Sequence, residues 1–495
     1  MKFYLEGFIE FSSSVEFLQQ RLPELVAKEI NTQLLRKGVP AQQEGARLVR
    51  WLAVGTKLMV TIEGTTYLRP HDALLRLRTY FSEKLGRKYR IGVRSIGIKK
   101  YEIAYRPERM PKQSITVHVP WVQSISKRGN ELRIVLKGLD ATAIEDRYVE
   151  NILKLIEEKI AAATYGGKKE RWKLLWQSRR KSPVWKSDPT PEMEKRGWIK
   201  RFDAGVWLHM PPSAKIIATM REIAMRELIK PLKFQEVILP KTVPLEVWTR
   251  TGHMPGSANS FFYVSRPKKW DPKFWEDLAD YVKVTGKVPA ELLKEKVEVP
   301  TAGICFAQCP PLYWYFAKHK LSERSLPLKF WDASGVSYRW EAGGLRGIER
   351  DCEFHRIEIV WLGTKKQVIA IKDELIERYK HIFEDILEIE WRMAWVVPWY
   401  VEQAGLASEK AASKEVGTID FEAWLPWRGS REKSEWLEFQ NLTVAGTKFS
   451  DAWGYKTEKD NDVWSGCSGI GLDRWLSVFL SQKGLEPEHW PKEFA

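Results

Sequence analysis

The 495-residue sequence predicts an α+β protein of two domains, each built around antiparallel strands. Three observations carry that prediction. The chain is too long for a single hydrophobic core. Its first 165 residues are a series of β-branched and aromatic segments with partial alternation, interleaved with helical patterns. From residue 196 onward helices and strands mix without βαβ alternation or a glycine-rich phosphate loop, which argues against a Rossmann-type or P-loop nucleotide site.

The first domain, residues 1–165, reads as the strands KFYLEGFIEF, RLVRWLAVGTKLMVTIEG, SIGIKKYEIAYRPE, SITVHVPWVQSI and ELRIVLKGL, with KRGN at Lys127 to Asn130 as a hairpin turn. Helical spacing covers Val15 to Leu35, Asp72 to Leu85 with Gly86 as its stop, and Ala143 to Ala163. The last follows Asp140 and Thr142, with Glu145 placed to complete a capping box. Residues 166–195 read as a basic linker. Its KKERWKLLWQSRRKSP stretch suits either a surface against a nucleic acid backbone or an amphipathic linker helix. Residues 196–495 form the second domain. Within it, 266–300 reads as a helix-turn-helix insert: Asp271-Pro272 opens a helix with Phe274, Trp275, Leu278 and Tyr281, Gly286 breaks it, and Pro289 starts another.

Lysine and arginine total 80 against 64 aspartate and glutamate, a net charge of +16 that fits a polyanionic partner or a basic solvated surface. No apolar run reaches the ~18–20 residues of a membrane span, and the N-terminus reads as a strand rather than a signal peptide. Four cysteines make no disulfide framework, so reduced thiols in a cytoplasmic protein are expected.

Three segments carry chemistry. In the first, Ile216, Met220, Ile223 and Leu228 follow helical spacing before FQEVILP switches to strand period and stops at Pro240. In the second, Arg339-Trp340-Glu341 ends a strand, a loop carries Arg346 and Arg350, and a return strand carries Phe354, His355, Arg356 and Glu358. Two strands joined by an arginine-rich loop can grip a triphosphate, because the guanidinium fork pairs with phosphate oxygens. In the third, Gly469 and Gly471 allow close backbone approach before Asp473 and Arg474 open an apolar helix.

Together these resemble the three signature motifs of class II aminoacyl-tRNA synthetases. The second reads Tyr338-Arg339-Trp340-Glu341, then Arg350 and Phe354; the third reads Gly469-Ile470-Gly471-Leu472-Asp473-Arg474. One departure is Lys233, which stands before Phe234 where the family usually has glycine. The resemblance implies a class II antiparallel sheet core flanked by helices, with a separate α+β N-terminal tRNA-binding domain. It implies that Arg339 contacts the α-phosphate, Glu341 the nucleotide and Phe354 the adenine, while Arg350 and Arg474 hold the terminal phosphates. Glu438 in EWLEFQNLT is the candidate to carry the Mg2+ that accompanies ATP.

Within class II the chain looks like the atypical, methanogen-type seryl enzymes over its whole length. That resemblance implies one Zn2+ per subunit held by Cys309, Glu358 and Cys467, and a serine pocket of Arg356, Trp399, Gln403 and Asn441. Cys305 reads as a buried apolar thiol and Cys352 as structural. The implied partners are tRNA(Ser), ATP, L-serine and a second copy of the chain in a cytoplasmic homodimer. The N-terminal domain would grip the tRNA, and Arg76, Arg78, Lys84, Arg87, Lys88 and Arg90 cluster around one helix end. The rival readings are a threonyl-tRNA synthetase, whose metal set is Cys with two His, and an amino acid:carrier protein ligase, which lacks the N-terminal domain.

Overall fold

The computed structural model describes residues 1–107, 110–111, 114–164, 171–341, 344–397 and 415–494. The chain divides into two compact units, Met1–Lys169 and Glu170–Ala495.

In the first unit the strands β1 (Lys2–Phe11), β2 (Arg47–Val54), β3 (Lys57–Gly64), β4 (Val93–Tyr105), β5 (Val122–Arg128), β6 (Glu131–Leu136) and β7 (Leu139–Asp140) form one antiparallel sheet in the order β2-β3-β1-β4-β6-β5, with β7 on β4. Strict alternation along β1 sends Phe3, Leu5 and Ile9 inward. Leu74, Leu77, Phe81 and Leu85 of helix α1 (Pro70–Tyr89) join the same core. This helix runs past Gly86 and stops where Arg90 turns left-handed (φ 58°), because the arginine's amide caps the free carbonyls of Leu85 and Gly86. The segment from Val15 to Leu35 is not one helix. It divides into a 3-10 turn, a short α-helix (Leu22–Leu25) led by Pro23, and a π-helical stretch (Val26–Leu34). The predicted 143–163 helix breaks at Arg147 (φ 61°), leaving α2 (Tyr148–Thr164) as its long part. Its start is capped by the Asp140 side chain, which accepts from the Ala143 amide, while Glu145 pairs with Arg78 instead of closing a capping box. The expected strand at SITVHVPWVQSI begins only at Val122.

The second unit starts with strand β8 (Arg171–Gln177), inside the stretch read as a linker. It pairs with β15 because its alternating Trp172, Leu174 and Trp176 suit a sheet edge better than a helix face. Then come α3 (Pro189–Lys195), the hairpin β9 (Ile199–Asp203) and β10 (Val206–His209), α4 (Pro211–Ala224), β11 (Gln235–Glu236), α5 (Cys309–Tyr315), β12 (Leu328–Asp332), β13 (Val336–Tyr338), β14 (Glu353–Gly363), α6 (Lys365–His381), β15 (Trp391–Val397), β16 (Gly417–Ala423), β17 (Leu437–Gly446), β18 (Trp464–Gly471) and α7 (Leu472–Lys483). The sheet runs β11-β12-β14-β18-β17-β16-β15-β8, with β13 on β14; all its pairs are antiparallel except β11 with β12. Helices α4, α6 and α7 cover it through Ile216, Met220, Val368, Leu375, Trp475 and Phe479.

The departure at Lys233 has a backbone cause. Its φ is 57°, the left-handed region that glycine enters without cost, and the lysine adopts it with its side chain in solvent. The insert is a helical hairpin, Glu276–Thr285 and Ala290–Lys296, broken at Gly286 (φ 68°) and closed at its base by a Pro267–Val297 bridge. Its interior is Lys296, whose ammonium sits 4.3 Å from the Phe274 ring and 2.8 Å from Asp277. Trp270, Val284, Val288 and Val299 stay exposed.

Candidate active site and metal centre

The strands β14, β18 and β17 lie side by side, and their register decides which residues meet. Glu358 of β14 faces Gly469 of β18, and Gly469 faces Asn441 of β17. Directly opposed residues share a sheet face, so Glu358 and Asn441 flank a position with no side chain. The Arg356 guanidinium fills that position. A Cβ on Gly469 would collide with it, which is why the third motif needs glycine there.

Cys467 sits one row along, two residues before Gly469, and Cys309 arrives from the first turn of α5. One donor atom each of Cys309, Glu358 and Cys467 lies within 4.8 Å of the others. Glu358 is 1 % exposed, and burial pushes its carboxyl up to about 6 even with Arg356 Nη2 2.5 Å from Oε2. The neighbouring Cys467 thiol and burial together raise the Cys309 thiol well above its usual range. Two thiols and a buried carboxyl that converge in this way are donors of the type that tetrahedral zinc takes, three from the protein with a fourth position left over. Arg356 also donates through Nη1 to the Phe306 carbonyl at 2.9 Å, which ties it to the loop before Cys309. Cys305 does not join the set. Its thiol donates to the Ala307 carbonyl and burial raises it to about 12. Cys352 is fully buried and likewise stays apart.

A second group gathers at the other end of β14. Arg339 Nε lies 3.8 Å from Glu341, and Arg474 Nη2 lies 3.7 Å from the same carboxylate. Arg474 Nη1 donates to the Glu438 carbonyl at 2.9 Å and sits 3.4 Å from its carboxylate. Asn441 donates to Glu438 at 3.1 Å, so the two groups are continuous along β17. Phe354 shares a face of β14 with Arg356 and Glu358. Arg350 closes the loop before β14 by exchanging backbone hydrogen bonds with Arg346. Trp399 and Gln403 lie outside the described residues.

Sequence reasoning assigned no role to several neighbours. The Asp473 carboxylate accepts from the His355 amide at 2.5 Å and lies 3.2 Å from the His355 ring and 3.5 Å from His209. This pins the third motif to the second. The Asp473 hydrogen bond raises the His355 imidazole, whereas burial lowers that of His209. Lys448 stands near Cys309 and Cys467, and burial lowers its amine to about 8 against the pull of both thiols. Lys448 and His209 belong to no motif. Asp473 sits beside the motif arginine, a position that could have flagged it.

Two family models match the chain: a tRNA-binding domain over residues 1–158, and the class II tRNA synthetase core domain (G, H, P, S and T) over 304–483. The type-2 serine–tRNA ligase of Methanococcoides burtonii is 44% identical over 497 residues, covering 100% of this chain and 97% of that one. The chain belongs to the type-2 serine–tRNA ligases. A second member of the family, from Methanopyrus kandleri, is 32% identical over 98% of this chain and 95% of its own. The structure of A. aeolicus tRNASec in complex with M. kandleri SerRS superposes on this ligase with a TM-score of 0.83 at 30% identity, covering 100% of this chain and 95% of that chain. This type-2 ligase is therefore a class II aminoacyl-tRNA ligase with an N-terminal tRNA-binding domain, and the threonyl and carrier-protein readings fall at the level of family. None of its described helices is long and apolar enough to cross a membrane.

Proposed function

We propose that this ligase activates L-serine with ATP to seryl-adenylate and pyrophosphate, then passes the seryl group to a hydroxyl of the terminal adenosine of tRNA(Ser), releasing AMP. The observation that carries the reading is the convergence of Cys309, Glu358 and Cys467 beside Arg356 and Asn441, linked through the Asn441–Glu438 hydrogen bond to the Arg339, Glu341 and Arg474 group. Cys309, Glu358 and Cys467 would hold a zinc ion. Three protein ligands would leave a fourth position, and an ion held by two thiolates and a carboxylate would supply mild Lewis acidity suited to an amine.

The chain's own residues do the rest. Arg356 and Asn441, with Trp399 and Gln403 by family resemblance, would surround the serine side chain; a pocket built to hydrogen-bond a hydroxyl rejects alanine strongly. By that resemblance a large ring at Trp399 would close over the β-carbon and exclude threonine. The serine carboxylate attacks the α-phosphorus in line, and pyrophosphate leaves. Arg339 neutralises charge on the α-phosphate as it develops, Arg350 and Arg474 grip the terminal phosphates, Glu438 would hold the Mg2+ that accompanies ATP, Glu341 orients the nucleotide, and Phe354 stacks on adenine.

Two further parts belong to the proposal. Ile238, in the first motif, is 81% exposed and Phe202 is 83% exposed, which supports a homodimer that buries them. In the first unit Arg76, Arg78 and Lys84 are engaged within the domain, whereas Arg87, Lys88 and Arg90 are exposed at the end of α1 and suit the tRNA backbone. The test is ATP–pyrophosphate exchange with each of the twenty amino acids, before and after zinc removal. Exchange with serine alone, lost on zinc removal and restored by zinc, is expected; exchange with another amino acid, or exchange indifferent to zinc, overturns the reading.

A further inference from the structure

The turn that presents Arg350 is anchored from outside its own hairpin. Arg346 and Arg350 exchange backbone hydrogen bonds at 3.2 and 3.1 Å, closing Arg346-Gly347-Ile348-Glu349-Arg350 into one tight unit. Ile348 is 1 % exposed in the core of the second unit. The Trp207 indole on β10 donates to the Gly347 carbonyl at 3.1 Å, and Thr190 of α3 accepts from the Ile348 amide at 3.3 Å. Gly347 has a φ of 49°, and a Cβ there would collide with Thr190.

The remaining anchor is ionic. Arg428, in the 3-10 turn Pro426–Arg428 between β16 and β17, donates through Nη2 to Glu349 Oε1 at 2.7 Å. The side chains are 7% and 3% exposed, so both charges have left water. A buried pair of this kind contributes little net stability, and removing one partner strands the other. Such a pair in the residue preceding Arg350 therefore needs a reason beyond stability. Glu349 is also 3.5 Å from Arg346. Released from Arg428, its carboxylate would compete with phosphate for the arginines of this turn.

We propose that Arg428 is a positioning residue for ATP, which holds Glu349 so that the 346–350 turn presents Arg350 to the terminal phosphates and the carboxylate stays off the phosphate-binding arginines. The proposal rests on the phosphate roles given above but not on the identity of the amino acid, because ATP binding can be read directly. Three forms of the full chain are compared: wild type, Arg428→Gln, and the double variant Arg428→Gln with Glu349→Gln. Equilibrium dialysis gives the Kd for ATP, pyrophosphate exchange gives KM for ATP and for serine, and thermal unfolding is followed for each.

Arg428→Gln should weaken ATP by about tenfold or more, with KM for serine and zinc content unchanged. The double variant, which strands no charge, should recover to within about threefold of wild type. A merely structural role would move both substrates together and show no recovery. If Arg428→Gln does not fold, Arg428→Lys, which keeps the charge without the planar fork, should weaken ATP in the same direction. Unchanged ATP affinity in the single variant, or a double variant no better than the single, overturns the proposal. Loss of exchange with serine in wild type bears on the proposed function alone.

Discussion

At the scale of single residues, zinc retention and serine activation should fail together. Cys467 supplies one of three donors, so Cys467→Ala should lose zinc and exchange activity at once while the fold survives, since alanine keeps an apolar side chain where Cys467 packs against the Cys309 core cluster. Metal analysis and exchange on the same sample check this; a zinc-free variant of undiminished rate sinks the catalytic role. Retention should also depend on pH with a definite sign. Glu358 is held up to about 6 and the Cys309 thiol higher, so zinc binding must displace protons, and affinity measured by chelator competition should fall steeply as pH drops toward and below 6. Arg339 makes a different prediction. Arg339→Ala should slow adenylation about 10²-fold through lost transition-state charge stabilisation, with zinc content unchanged. A loss confined to ATP affinity, with kcat intact, would make it a uniform binding group instead.

At the scale of elements, the lysine that stands where the family has glycine tests the backbone argument. Lys233 holds φ 57° between α4 and β11, and a left-handed non-glycine residue costs about 1 kcal/mol, partly offset because lysine orders more cheaply than glycine. Lys233→Gly should therefore raise stability by about 0.5 kcal/mol in urea unfolding. A clear loss would show that its side chain makes a contact worth more than the strain. The same reasoning explains the glycines of β18: Gly469 is there for the Arg356 guanidinium, a close approach rather than a turn.

At the scale of the whole molecule, the boundary between units sets where the chain can be divided. Strand β8 pairs with β15, so a chain cut at Ser182 would strip an edge strand from the catalytic sheet, whereas one beginning at Glu170 keeps it. The shorter protein should still form adenylate from serine and ATP, because all motif residues and metal donors lie in the second unit. Its tRNA charging should fall severely. Full-length tRNA affinity should weaken steeply with added salt, and the shorter protein should show a visibly smaller slope, since Lys and Arg contacts to phosphate supply that dependence. Charging by both forms across a salt series checks this; equal charging would remove the first unit from tRNA binding.

Local patterning was sufficient for much of this protein. Alternation predicted β1 and most of its sheet, and helical spacing picked out Ile216, Met220, Ile223 and Leu228, which lie together in one buried core cluster. These signals are legible because each depends on neighbours within a few residues. What depended on distant partners was not. Gly86 reads as a helix stop, yet the cap comes from Arg90; the 171–177 strand exists because β15 offers it an edge. Cys309, Glu358 and Cys467 carry no metal-like spacing, and only the family resemblance named them. Strand register and the first turn of α5 bring them within 4.8 Å. The Arg428–Glu349 pair and the Asp473 carboxylate against His355 are likewise contacts between elements far apart in the chain, and a buried charge acquires its partner only when the sheet has closed around it.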